Sequence, residues 1–162
     1  MNDIDGAAAD WRGPGDSAGV LLWRAANRWQ RDVRAALAGH DLTQAQFLLL
    51  SALAAFDPAK PAPTQARLAA STGIDVAVAS QGLRQLQRAG LVQRRTGTDA
   101  RSRELQLTAA GRDRIDRAIP GVAAADAAFF ARLGDNRPAF AGALRALIGL
   151  PVRAAAGRRV GT

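Results

Sequence analysis

The sequence predicts a mainly α-helical domain that carries one small β-hairpin and has a long helix towards each end. Three observations lead there. Hydrophobic residues make up 48% of the 162, but alanine inflates that figure and only 5% of residues are aromatic. A core of Ala and Leu suits close helix-on-helix packing, because the β-branched and aromatic residues that favour strands are scarce. Apolar residues recur at three- and four-residue spacing along most of the chain, and only between Leu91 and Leu107 does that period give way to alternation.

Taken in order, residues 1–17 read as a disordered leader, because Gly6, Gly13, Pro14, Gly15 and four aspartates offer little surface to bury. Ser17 is placed to cap a first helix, in which Leu22, Ala26, Trp29, Val33 and Leu37 line one face and Arg24, Arg28, Arg31 and Arg34 the others, with Gly39 ending it. Thr43 caps a second helix, where Phe47, Leu50 and Leu53 with Leu48 and Leu49 make an almost wholly apolar, central stretch. The prolines of Asp57–Pro63 make a loop. Thr64 opens a short helix to about Ser71, Gly73 makes a tight turn, and Asp75 caps a further helix ending at Ala89 and Gly90. Residues 91–95 and 103–107 are strand candidates around a hairpin tip, Thr96–Ser102. Thr108 caps a helix to about residue 131, with a kink expected near Pro120-Gly121, and a last helix covers about Arg137 to Leu150. Residues 151–162 read as a basic flexible tail.

Helix, tight turn, helix and then a hairpin is the order of a winged helix-turn-helix, whose second helix lies in a DNA major groove. Ala69 and Gly73 suit the crossing and the turn, Leu68, Ile74, Leu83 and Leu86 supply a local core, and Gly82 inside a helix marks a close approach. Charge selects a face. The chain carries a net +8; without residues 1–16 it holds 21 basic and 10 acidic residues, so the basic part is the folded part. Between Arg84 and Arg103 stand six arginines (84, 88, 94, 95, 101 and 103) against one acid, Asp99. So one-sided a block suits a phosphate surface.

Over about residues 18–150 the chain resembles the MarR family of bacterial regulators. The resemblance is carried by Gly90-Leu91-Val92-Gln93-Arg94-Arg95, by Thr98-Asp99-Ala100-Arg101, and by Leu107-Thr108-Ala109-Ala110-Gly111. These look like the family's exit from the recognition helix, its Asp-x-Arg wing tip and its Leu-Thr-x-x-Gly lead-in to the dimerisation helix. Gly82, where a bulkier apolar residue is usual, and Pro120 in the long helix depart from the pattern.

The resemblance implies a homodimer on double-stranded DNA with a pseudo-palindromic site. Residues 18–42 and 108–150 would form the dimerisation helices and 43–107 the winged-helix lobe. Residues 75–89 would enter the major groove, presenting Ser80, Gln81 and Arg84 to the bases. Arg101 would reach the minor groove, with Asp99 holding an arginine in place. Arg94, Arg95 and Arg103 would neutralise phosphates, as would the amides at Thr64 and Gln65. Relatives that respond to small aromatic or phenolic anions suggest Trp23, Asn27, His40 and Phe47 as an effector pocket.

The expected function is a sequence-specific transcription regulator, a repressor relieved by such a ligand. The alternative is a winged helix used for architectural DNA binding or protein contact without an effector. With no cysteine, no tyrosine and one histidine, no acid, base and nucleophile set converges, so no enzyme, metal or cofactor is expected. No apolar run approaches the ~20 residues of a membrane span and the N-terminus lacks a basic start, so the expected location is cytoplasmic.

Overall fold

Four of the five predicted caps are made by the residues named for them. The computed structural model describes residues 15, 17–56, 62–96 and 103–151, the last two spans without the side chains of 95, 96 and 103. The leader up to residue 14 and the tail from 152 lie outside the described residues. Helix α1 is Ala18–Leu37, α2 Gln44–Ala54, α3 Gln65–Thr72, α4 Val76–Arg88, α5 Ala109–Phe130 and α6 Arg137–Leu147. Strands β1, Val92–Thr96, and β2, Arg103–Leu107, pair antiparallel from Val92 opposite Leu107 to Thr96 opposite Arg103.

Each cap satisfies an amide that the first helical turn leaves without an intrahelical partner. Thr43 Oγ1 accepts from the Gln46 amide while the Gln46 side chain accepts from the Thr43 amide, a reciprocal pair. Thr64 accepts from the Arg67 amide, Asp75 from those of Ala77 and Val78, and Thr108 from that of Gly111. Ser17 stands at the start of α1, but its side chain makes no capping bond.

Two boundaries depart from expectation. Gly39 does not end the first helix: a 3₁₀ turn, Ala38–His40, carries the chain on to Asp41, which takes the left-handed conformation at φ 52°. The last helix stops at Leu147, and Gly149 at φ 70° turns the chain after it. As expected, one helix, α5, carries on to Phe130 through Pro120. The proline lies on the exposed side, and Asp116, whose carbonyl it leaves without a donor, is exposed too, so water can take that place.

One core joins the elements. Val33 and Leu37 of α1, Leu49 and Leu50 of α2, and Leu68 of α3 meet Leu83 and Leu86 of α4, Leu105 of β2 and Ile115 of α5. At the crossing of α2 and α4, Gly82 is buried, and a Cβ there would stand 3.0 Å from Leu49 Cδ1. The close approach expected from this glycine is therefore present. The outer ends are tied by polar contacts. Trp29 Nε1 donates to Asp126 Oδ1 at 3.1 Å and Arg137 Nη2 to Asp126 Oδ2 at 3.2 Å, so one carboxylate links α1, α5 and α6.

Candidate nucleic-acid interface

The turn between α3 and α4 is made by local chemistry. Thr72 Oγ1 donates to the Leu68 carbonyl at 2.8 Å, Gly73 adopts φ 67°, and Asp75 starts α4 two residues later. With about 100° per residue, burial of Ala79, Gly82, Leu83 and Leu86 turns Ala77, Gln81, Arg84 and Arg88 outward. Of the polar residues expected away from the core, Gln81 and Arg84 are exposed and Ser80 is half-buried beside them. Arg84 Nη1 donates to Ser80 Oγ at 2.9 Å, which holds the guanidinium along the helix. Arg88 is exposed near the C-terminal end.

A second contact escaped the sequence reading. Gln46 Nε2 donates to Gln85 Oε1 at 2.9 Å, bracing the exposed face of α4 against the start of α2. The signal was present, since Gln at the third position of a Thr-capped helix is fixed by its own cap. Thr64 and half-buried Gln65 do open α3, but the Thr64 hydroxyl already occupies the Arg67 amide, leaving fewer amides free for an anion.

The hairpin is clamped at its base. Thr108 Oγ1 donates to the Gly90 carbonyl at 2.7 Å, and its amide donates to the Leu91 carbonyl at 3.1 Å. Gly111 lies so close that an added Cβ would meet Leu91 O at 2.0 Å. Glycine is thus required by contact between backbones, and the Gly-Leu and Leu-Thr-x-x-Gly segments are two halves of one joint. The Leu105 amide donates to the Pro63 carbonyl at 3.3 Å, which seats the outer strand against the preceding loop. Arg94 is exposed on β1, opposite Leu105. The backbone register sets Arg95 opposite Glu104 and Arg103 opposite Thr96, so an acid just past the counted block stands within the arginine ladder. Asp99 and Arg101 lie outside the described residues.

The four residues named for an effector lie in three separate places. Trp23, 67% exposed, and Asn27 line one open cleft of about 360 Å³ with Arg24, Arg31 and Arg34. Phe47 is part of the core. His40 does not line that cleft; it sits in the 3₁₀ turn, where its carbonyl accepts from Arg114 Nη1 at 2.8 Å. Among the described residues no helix is long and apolar enough to cross a membrane, and no cluster of three His, Cys, Asp or Glu is placed to hold a metal ion.

Comparison with known proteins agrees with this geometry. Residues 40–102 match the model of the MarR family. An uncharacterised HTH-type transcriptional regulator of Bacillus subtilis, YdcH, is 38% identical over 120 residues, spanning 74% of this chain and 82% of YdcH. The transcriptional repressor CouR, bound to a 23-mer DNA duplex, superposes with a TM-score of 0.74 at 31% identity over 86% of this chain and 97% of its own. Bound to p-coumaroyl-CoA, CouR gives 0.70 at 30% identity over 84% and 94%. The MarR family protein Rv2887 of Mycobacterium tuberculosis, in complex with DNA, gives 0.62 at 32% identity over 81% and 97%. The helix-turn-helix, the clamped hairpin and the extent of these matches lead to one conclusion: the chain belongs to the MarR family and is a transcription regulator of the helix-turn-helix type.

Proposed function

We propose that the protein binds double-stranded DNA as a homodimer, places α4 in successive major grooves of a pseudo-palindromic site, and acts as a repressor released by a small aromatic anion. The observation that carries this reading is the outward face of α4. Gln81 and Arg84 stand exposed on a helix whose other side is locked into the core, and Arg84 is held in place by Ser80. Glutamine suits adenine and arginine suits guanine, each good pair adding about 1–3 kcal/mol of discrimination. Arg94, Arg95, Arg101 and Arg103 supply phosphate and minor-groove contacts from the hairpin.

Burial supports the remaining divisions. Helix α6 buries no residue of its own. Beside it runs an apolar groove of about 290 Å³ lined by Leu22, Trp29, Phe129, Phe130, Phe140 and Leu144 among others. Residues 18–42 and 108–150 are therefore assigned to the dimer and 43–107 to the DNA-reading lobe. Two-fold symmetry then sets two half-sites about one DNA turn apart. The effector site is assigned to the α1 cleft, where Trp23 offers a stacking face and Arg24, Arg31 and Arg34 offer charge to an anion. CouR with p-coumaroyl-CoA supports a ligand of this kind.

The test is selection of bound fragments from genomic DNA, followed by titration against competitor duplex. A specific regulator prefers its site by about 10³-fold or more. Arg84→Ala is expected to lower affinity for the selected site by about tenfold, within the range of one lost base contact, and to relax base preference while the dimer stays folded. Arg101→Ala is expected to weaken binding as well. Equal affinity for all duplexes would make the protein an architectural binder, and normal binding by both variants would overturn the docking.

A further inference from the structure

The first turn of α4 has a feature that polar readout does not explain. Val76 is 58% exposed and Val78 is 49% exposed, with Ala77 exposed between them. β-Branched residues are below-average helix formers, so neither helix propensity nor core packing accounts for two valines here. At about 100° per residue they fall on opposite shoulders of the outward line through Ala77, Gln81, Arg84 and Arg88. The neighbouring acid, though exposed, is engaged as the helix cap: Asp75 Oδ1 accepts from the Ala77 amide at 2.8 Å and the Val78 amide at 3.3 Å. The leading end of the helix is therefore apolar on both flanks and becomes cationic further back.

A base pair shows a single apolar group in the major groove, the 5-methyl of thymine. A recognition helix meets base edges with its N-terminal residues. We propose that Val76 and Val78 read thymine methyl groups, one on each wall of the groove, so that each half-site carries thymines flanking the base pairs met by Gln81 and Arg84. This rests on the reading of α4 as the groove-inserted helix. A protein partner is the poorer occupant: two valine side chains fall far short of the ~800 Å² per partner of a stable protein interface, and the arginines behind them match a polyanion.

The experiment uses the full-length protein and duplexes it selects from a random pool, each compared with the same duplex carrying deoxyuridine in place of every thymine. Removing one contacted methyl is expected to weaken binding about fourfold, the equivalent of ~0.8 kcal/mol per buried carbon. The variant V76A/V78A, whose alanines favour helix, is expected to bind the thymine duplex more weakly and to lose the distinction between thymine and uracil. An unchanged affinity for the uracil duplex overturns the inference, as does an equal loss in wild type and variant, which would place the readout elsewhere. A variant that changes oligomeric mass in place of base preference overturns it in favour of protein contact. If no duplex is selected at all, the groove-insertion reading fails and takes this inference with it; if a duplex is selected but its methyls go unread, this inference fails alone.

Discussion

The central lobe and the terminal helices are written in the same Ala- and Leu-rich vocabulary, yet they end in opposite states. Helix α2 buries four of its eleven residues and α4 four of its thirteen, while α6 buries none of its eleven. Leu147 and Ile148 are left 74% and 70% exposed at the same end. Composition is therefore not what separates them. In the lobe, glycine and alanine at 69, 79 and 82 let helices approach until leucines interdigitate. In the terminal region a comparable apolar face finds only one side of a groove. The lobe is complete within one chain, whereas the terminal helices hold an apolar surface that the described residues leave uncovered.

The sharpest way to break the lobe is at the joint beneath the hairpin. Gly111→Ala forces a methyl into the Leu91 carbonyl, a backbone atom that strand pairing and the Thr108 clamp hold still. Since the neighbour cannot swing aside, the expected loss is about 3 kcal/mol or more, read as a lower midpoint in urea unfolding. A midpoint within error of wild type would show that the hairpin base is loosely seated.

The terminal region should break differently. Leu147→Asp places a charge on a side chain that contributes almost nothing to the chain's own core, so the helical circular dichroism should hold. The mass measured by light scattering should fall from twice the 16.9 kDa of one chain towards that value. Because two half-sites are then no longer held together, affinity for the operator should drop by about 10² or more. A dimer that survives the substitution would move the interface away from α6.

The same contrast explains what the sequence shows. Helix caps at Thr43, Thr64, Asp75 and Thr108 are readable because each is settled within three residues, and the central helix is readable because its apolar run has no polar side. The joint between Gly90-Leu91 and Thr108-Gly111 spans some twenty residues and was visible only as a family resemblance, its steric reason lying in a backbone approach that spacing does not encode. Phe47 and His40 were grouped with Trp23 by residue type, but α1 gathers its cleft by helical period, through 23, 27, 31 and 34. Val76 and Val78 are not legible as contacts in the sequence, because an apolar residue declares its exposure only once the core has claimed its neighbours.

The mildest test lies on α5 itself, ten residues beyond the first. Gly121 also faces another element, but a Cβ there would stand 3.7 Å from the Ala36 carbonyl and 3.9 Å from Ala36 Cβ, ordinary contact distances. Its φ is not in the left-handed region, so alanine needs no special backbone. Gly121→Ala therefore removes backbone freedom from the unfolded chain and adds a methyl against α1, and is expected to stabilise the protein by about 0.5–1 kcal/mol. Measured beside Gly111→Ala, the same substitution on one helix should change sign, because one glycine is required by a backbone neighbour and the other is not. A loss at both positions would mean that α1 and α5 lie closer than 3.7 Å allows, and that the terminal helices are packed as tightly as the lobe.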